Sequence, residues 1–366
     1  MNTAFNRITL LIPWACRPIV PETPSNPSNV PAALTLRQGR FLFRVVALGL
    51  MGAGLFALLQ SATGRFLSHD LRYLGMAAIQ LCGVGNGRVA RFMFHDRVSF
   101  GGALIAIGLL YIWLEQFPLK AGETWAWWTF LLTGFAGFGS FLAYLGYGYL
   151  DSLHALATLA LLPLYTGGLA MTSVALSAHI TISRPDLPSN PNWRTRLGIG
   201  RGLLLTTATG LIAGGMTIFL IGMTRVFVPQ DFRYLQLGAS DLLAINRRLL
   251  PLIAHDRAAF GGAIATCGLL FFFCVWFGRP SRKLWHALAL AGSTGFCTAI
   301  GVHPLIGYTD FSHLAPAYLG ALIFSLGITL CHKPMCGSQV ALVDCSDGLA
   351  QASDGLTYRD DDAPLL

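Results

Sequence analysis

Charge is scarce in this chain: 11% of the 366 residues are Asp, Glu, Lys or Arg, whereas 54% are hydrophobic. A soluble domain usually carries about 25% charged residues, and a chain with far fewer could not cover its surface with polar groups. The scarcity therefore predicts that lipid is the main solvent. The formal net charge is +8. Basic residues of a membrane protein usually set topology and meet lipid head groups, so we expect a bilayer as partner and no nucleic acid.

Sequence signatures of several enzyme classes are also lacking. The chain contains no Walker loop, no HExxH, no GxSxG and no Rossmann fingerprint. These are the motifs by which nucleotide-binding proteins, zinc proteases and α/β-hydrolases are detected from sequence. Nor does any apolar run carry an isolated acid or base at its centre, as proton-coupled transporters do. The polar groups are predicted to lie at the membrane boundary.

Eight long apolar runs are present instead, each near the roughly 20 residues that cross a bilayer. They cover residues 41–61, 99–117, 125–146, 153–176, 203–226, 259–277, 284–302 and 313–331. The pattern predicts an all-α integral membrane protein with eight transmembrane helices.

An internal repeat, with an offset of 159 to 161 residues, divides these runs into two sets of four. HDRVSFGGA at 95–103 recurs as HDRAAFGGA at 255–263. DLRYL at 70–74 recurs as DFRYL at 231–235, and GYLD at 148–151 recurs as GYTD at 307–310. A histidine follows the last motif three residues later in both copies. We predict two tandem four-helix units. Because four spans is an even number, the second unit enters the membrane in the same orientation, as a parallel repeat.

The predicted organisation has five parts. A disordered N-terminal tail covers 1–36, the first unit 37–177, a polar linker 178–198, the second unit 199–331, and an acidic disordered tail 332–366. Within each unit the motifs lie in connections on the same side of the membrane, so all motif-bearing loops should converge on one face. Basic residues in the short connections on the opposite face place both termini in the cytoplasm, by the positive-inside rule. We expect a plasma-membrane location with the motif face outside.

Each motif has two interpretations. The aspartate of each HDR motif directly precedes an apolar run, where Asp is a good helix N-cap. Capping does not require His95 or His255, which the other interpretation makes ligands or proton carriers at the membrane boundary. The aspartate and histidine of GYxD–H resemble a capping box, yet residues at i and i+3 also share a helix face and could act together on a ligand. The candidate ligand-binding residues are Asp70, Arg72, His95, Asp96, Arg97, Asp151, His154, Asp231, Arg233, His255, Asp256, Arg257, Asp310 and His313.

Three functions remain open from the sequence. The first is binding of a small anionic or lipid-like ligand at a pseudo-twofold site, as in a permease. The second is a metal-dependent or redox membrane enzyme, with a divalent metal held by His95, His154, His255 and His313. The third is a structural or assembly role, in which the motifs form only caps and salt bridges. The sequence leaves the substrate, any enzymatic activity and the oligomeric state undecided.

Overall fold

Helices make up the regular structure of the described part of the chain. The computed structural model describes residues 30–142, 149–177 and 192–337. Its helices are α1 (Val30–Ala62), α2 (Ser68–Leu74), α3 (Ala78–Gly83), α4 (Arg88–Gln116), α5 (Thr124–Leu142), α6 (Ser152–Ser177), α7 (Arg196–Thr224), α8 (Pro229–Leu235), α9 (Ala239–Ile245), α10 (Leu249–Phe277), α11 (Arg282–Ile306) and α12 (Phe311–Cys336). A 3-10 turn at Val84–Gly87 joins α3 to α4.

Seven helical stretches within these ranges are long and apolar enough to cross a membrane. They are Ala32–Ala62, Ala78–Gln116, Ser152–Leu176, Arg196–Thr224, Leu249–Phe277, Arg282–Ile306 and Phe311–Cys336. The chain is thus helical and of multi-pass membrane type. The predicted span at 125–146 overlaps α5, which is not among the seven. Residues 143–148 of that span lie outside the described part.

The boundaries of several predicted segments differ from those observed. Helix α1 begins at Val30, so residues 30–36 of the predicted tail are helical. Helix α12 continues to Cys336, five residues beyond the predicted end of the second unit. Residues 1–29, most of the predicted linker (178–191) and residues 338–366 lie outside the described residues.

The second helix of each unit begins about ten residues earlier than predicted, at Arg88 and at Leu249. Upstream of the first HDR motif, Val89, Phe92 and Met93 have the i, i+3, i+4 spacing of one helix face, and all three are fully buried. Leu249, Leu252 and Ile253 repeat this pattern in the second unit. Packing of these side chains extends both helices upstream.

The HDR motifs therefore lie inside α4 and α10 rather than ahead of them. The prediction that Asp96 and Asp256 are N-caps is wrong, because more than a full turn of helix precedes each one. Both motifs fall within helical stretches of 39 and 29 residues, which exceed the roughly 20 residues that cross a bilayer, so the expectation that the polar groups lie at the membrane boundary stays a prediction.

Helices α4 and α10 form the centre of the bundle. Their most apolar stretches are 67% and 72% buried, compared with 17–28% for the other five candidate spans. Helix α1 packs on α4 and α6, and α7 packs on α10 and α12. Helix α11 packs on α4, and α5 packs mainly on α10. The third helix of each predicted unit thus contacts the second helix of the other, and the two units interleave.

Glycines of the two FGG segments permit these crossings. A Cβ added to Gly102 of α4 would lie 1.8 Å from Oγ1 of Thr298 on α11, and one added to Gly262 of α10 would lie 2.4 Å from Oγ of Ser140 on α5. A side chain would not fit at either position. The close approach of these helices therefore depends on glycine.

The long connections before α4 and α10 have structure of their own, as is usual for connections of this length. Each contains two short helices, α2 with α3 and α8 with α9. Apolar residues from both connections form a shared core at one end of the bundle with residues of the neighbouring segments. The connections contribute Leu74, Leu81, Phe227 and Leu235, and Phe92, Tyr149 and Tyr308 complete it. This core surrounds the residues of the candidate site.

Candidate functional site

The two HDR arginines each join the two copies of the motifs. Arg97 donates Nη1 to Oδ2 of Asp70 at 2.8 Å and Nε to Oδ2 of Asp256 at 2.9 Å. Asp70 belongs to the first copy and Asp256 to the second. The guanidinium therefore connects the α2 segment of its own unit to α10 of the other.

Arg257 makes the corresponding contacts from the second copy. Its Nη1 donates to Oδ2 of Asp231, and its Nε lies 3.4 Å from Oδ2 of Asp96. Its guanidinium also lies over the Phe92 ring, 4.7 Å from the ring centroid. Each arginine thus pairs with one aspartate of its own copy and one of the other.

Tyrosines of the two GYxD motifs complete this network. The Tyr149 hydroxyl donates to Oδ1 of Asp70, and the Tyr308 hydroxyl donates to Oδ1 of Asp231 at 2.8 Å. Burial and then the neighbouring carboxylate raise the pKa of Tyr149 and of Tyr308 well above the ordinary value for tyrosine. Both hydroxyls therefore stay protonated and remain donors.

The network holds more acid than base. Four carboxylates, those of Asp70, Asp96, Asp231 and Asp256, are at most 7% exposed and face two guanidinium groups. With all six groups ionised, two negative charges are in excess. A buried charge is costly unless it is paired, so protons, histidines or a bound cation must offset this excess.

Histidines flank the network on both sides, again across the copies. The His255 ring of α10 lies 5.5 Å from the His154 ring of α6, centroid to centroid. The His95 ring of α4 lies 6.0 Å from the His313 ring of α12. The four predicted metal ligands therefore form two separate pairs, each taken from both units, rather than one group.

The His154–His255 pair lies at the polar end of a cavity of about 530 Å³. Arg97, Asp151 and Asp256 also line that end. The rest of the wall is mainly apolar and comes from α1, α4, α5, α6 and α10, for example Leu50, Phe56, Leu104, Phe138 and Leu161. The wall also includes Gln60, Tyr111 and Thr133, so it is mainly apolar with several further polar groups.

The His95–His313 pair has a third member. Nε2 of His95 lies 3.0 Å from Nε2 of His303 near the end of α11. One ring nitrogen from each of His95, His303 and His313 lies within 4.8 Å of the others. A second group of possible metal ligands lies beside the other histidine pair: one ligand atom from each of His69, Asp70 and Asp151 lies within 4.8 Å of the others.

The capping interpretation is confirmed for the GYxD–H aspartates. Oδ1 of Asp151 accepts from the backbone N–H of His154 at 3.0 Å, and Oδ1 of Asp310 accepts from that of His313 at 3.1 Å.

The two capping aspartates have lowered pKa values. Burial alone would raise the pKa of Asp151, but the His154 N–H and nearby histidines lower it. Hydrogen bonds from Ser312 and then from Arg233 hold the pKa of Asp310 well below its ordinary range.

Two candidate arginines lie away from the centre. Arg72 is exposed, and its Nε lies 3.4 Å from the carbonyl oxygen of Ser68. The Arg233 side chain is 58% exposed and pairs with Asp310 at 2.8 Å. The other twelve candidates lie in or beside the central network.

Sequence reasoning missed four residues of the site: Tyr149, Tyr308, His303 and His69. The tyrosines recur in both copies, and this recurrence was the available signal. His303 has no counterpart in the first copy, and His69 belongs to none of the repeated motifs except as the neighbour of Asp70. No pattern in the sequence connects either one to the site.

Comparison with known protein families, with curated proteins and with solved structures found no match to this chain. The geometry of the site therefore carries the functional argument by itself.

Proposed function

We propose that this chain is a membrane protein that binds an amphipathic, lipid-like molecule in the cavity beside His154 and His255. The observation that carries the proposal is the lining of the cavity, which is mainly apolar and includes a group of histidine and charged side chains able to hydrogen-bond. Its volume falls in the range of about 300–1,000 Å³ that is typical of small-molecule sites. A purely structural role for the motifs explains the ion pairs but does not require a cavity.

The architecture in this proposal is two tandem, parallel four-helix units with eight spans. Helix α5 would be the third span of the first unit, in the place that α11 takes in the second. The cross-copy pairs of Arg97 and Arg257 support a pseudo-twofold relation, because equivalent residues make equivalent contacts. We retain the bilayer as partner, a plasma-membrane location with both termini in the cytoplasm, and no nucleic acid.

The charges at the polar end favour a neutral or cationic head over an anionic one. Arg97 is already engaged by two carboxylates, Asp70 and Asp256. Asp151 adds a further acid to the cavity wall. An anionic head would enter a region that already has excess negative charge, which is unfavourable in a medium of low polarity. A hydroxyl or amine head could hydrogen-bond to His154 and to the carboxylates.

The proposal is tested with three photoreactive probes that share one long alkyl chain and differ only in the head: an alcohol, an amine and a carboxylic acid. Each is added to the purified full chain in detergent, and labelled peptides are identified by mass spectrometry. We expect the alcohol and amine to label α1, α5 and α6 more strongly than the acid does. Preferential labelling by the acid would contradict the charge argument.

A matched pair of glycine variants tests whether the probes bind inside the cavity. Gly52 lines the cavity, whereas Gly214 of α7 is not part of its wall, and a Cβ added at either position meets no atom within 4 Å. Gly52→Phe should fill the cavity and strongly reduce labelling, and Gly214→Phe should not. Equal labelling of both variants at the same peptides would show that the probes bind the outer surface instead.

A further inference from the structure

The three-histidine group on the opposite side of the network differs from the cavity site. His95 is 2% exposed, His303 is 4% exposed, and His313 is partly exposed. They come from three helices, α4, α11 and α12, so only the folded bundle brings them together. We propose that His95, His303 and His313 bind a divalent transition-metal ion. The inference goes beyond the proposed function, which uses the other histidine pair.

Hydrogen bonds to the far nitrogens of two rings carry the argument. Nδ1 of His95 lies 2.8 Å from Oδ1 of Asp96, and Nδ1 of His303 lies 2.8 Å from the carbonyl oxygen of Ala299. With Asp96 ionised, its carboxylate and the backbone carbonyl only accept hydrogen bonds, so both Nδ1 atoms then carry the proton. In a neutral imidazole, Nε2 then holds a lone pair.

Those two lone pairs face each other across 3.0 Å. Two acceptors cannot hydrogen-bond directly, so a cation has to lie between them: an added proton or a metal ion. Ligand nitrogens bind zinc at about 2.0–2.1 Å in tetrahedral geometry, which places two nitrogens on one ion about 3.3–3.4 Å apart. The observed separation of 3.0 Å is slightly shorter, so the two rings need to move apart by only a few tenths of an ångström to hold an ion.

The surroundings favour a metal ion over a lone proton. His313 adds a third imidazole, because one ring nitrogen from each of the three histidines lies within 4.8 Å of the others. The His313 ring is held against Tyr308, with centroids 4.4 Å apart. A hydrogen bond from a ligand histidine to a carboxylate, as from His95 to Asp96, is the usual support of a metal-bound imidazole.

The charge balance of the buried network also favours a metal ion. Asp96 belongs to the buried network in which four carboxylates face two guanidinium groups. A divalent cation next to Asp96 would offset the two negative charges in excess. Neutral imidazole nitrogens suit borderline ions such as Zn²⁺, Ni²⁺ and Cu²⁺ better than Mg²⁺ or Ca²⁺. Three protein ligands also leave a fourth position for water.

The test is Zn²⁺ binding to the purified full chain in detergent. After removal of metal with a chelator, the protein is dialysed against Zn²⁺ and bound metal is measured by mass spectrometry. We expect about one tightly held ion per chain. His303→Gln and His313→Gln should each weaken binding at least about tenfold, because even second-shell changes cost that much.

His255→Gln and His154→Gln are the matched controls, since they alter the corresponding helices of the other histidine pair. They should keep the Zn²⁺ affinity of the wild type. Circular dichroism and size-exclusion chromatography establish that each variant is folded. The proposal is overturned if the wild type holds no ion, or if folded His303→Gln and His313→Gln bind as the wild type does. Equal losses in the control variants would also overturn it. None of these outcomes depends on whether the cavity binds a lipid-like probe.

Discussion

Arg97 donates its Nε to the Asp256 carboxylate at 2.9 Å, although 159 residues separate the two in the sequence. The same guanidinium holds Asp70 of its own copy. These contacts link α4 of the first unit to α10 of the second through a buried ion pair. The pair therefore stabilises the fold and also forms part of the polar end of the cavity.

Arg97→Gln should be strongly destabilising. It leaves Asp70 and Asp256 buried without their shared cation, and loss of one partner of a buried pair costs about 3–5 kcal/mol. Unfolding of the full chain in detergent, followed by circular dichroism, measures the change. Arg233→Gln is the control, because Arg233 is largely exposed and should matter little. Equal destabilisation by the two variants would show that burial of the pair is unimportant.

Tyr149→Phe should destabilise the protein by about 1.5–3 kcal/mol, the usual contribution of a hydrogen bond to a charged group. The change removes only the hydroxyl that donates to the buried Asp70 carboxylate. Tyr73→Phe is the matched control, since its ring lies beside Tyr149, 4.5 Å between centroids, and it is not part of the network. Denaturant unfolding of both variants should separate them; coincident curves would contradict the role assigned to Tyr149.

Stability should fall at low pH partly through Asp310. Its pKa in the folded protein is lowered by Ser312 and Arg233, so its contribution is complete above the unfolded carboxyl pKa of about 4 and is lost as pH falls toward the folded value. Asp310→Asn keeps an N-cap but removes the titration. The variant should show a shallower loss of thermal stability below about pH 4. A slope unchanged from that of the wild type would contradict the prediction.

Gly102→Ala should destabilise the α4–α11 crossing by about 1–3 kcal/mol, the cost of overpacking. The new methyl group would collide with Thr298. Gly52→Ala is the control, because its Cβ would meet open space and alanine favours a helix. The melting temperatures of the two variants in detergent should move in opposite directions. A Gly102→Ala protein as stable as the wild type would mean that α11 can shift without cost.

Several features could be predicted from the sequence, for definite reasons. Apolar runs of about 20 residues indicate membrane helices because the bilayer sets that length. Asp310 before α12 was recognisable as a cap because capping involves neighbours only a few residues apart. The spacing of Val89, Phe92 and Met93 is typical of one helix face and indicates that α4 begins before HDR, although these residues precede the apolar run at 99–117. Each of these features depends only on residues that are close together in the sequence.

Other features depended on the tertiary structure. Periodicity within one helix does not specify which helices become neighbours. Hence the partners of Arg97 and Arg257, and the separation of the four histidines into two cross-copy pairs, could not be read from the motifs. His303 illustrates the limit, because it has no repeat partner and joins His95 only through the packing of α11 on α4. The sequence by itself determined a helical membrane chain with duplicated polar motifs. Only the packing of the helices, which depends on side-chain shape across distant segments, decided that these motifs form one buried network with a cavity on one side and three histidines on the other.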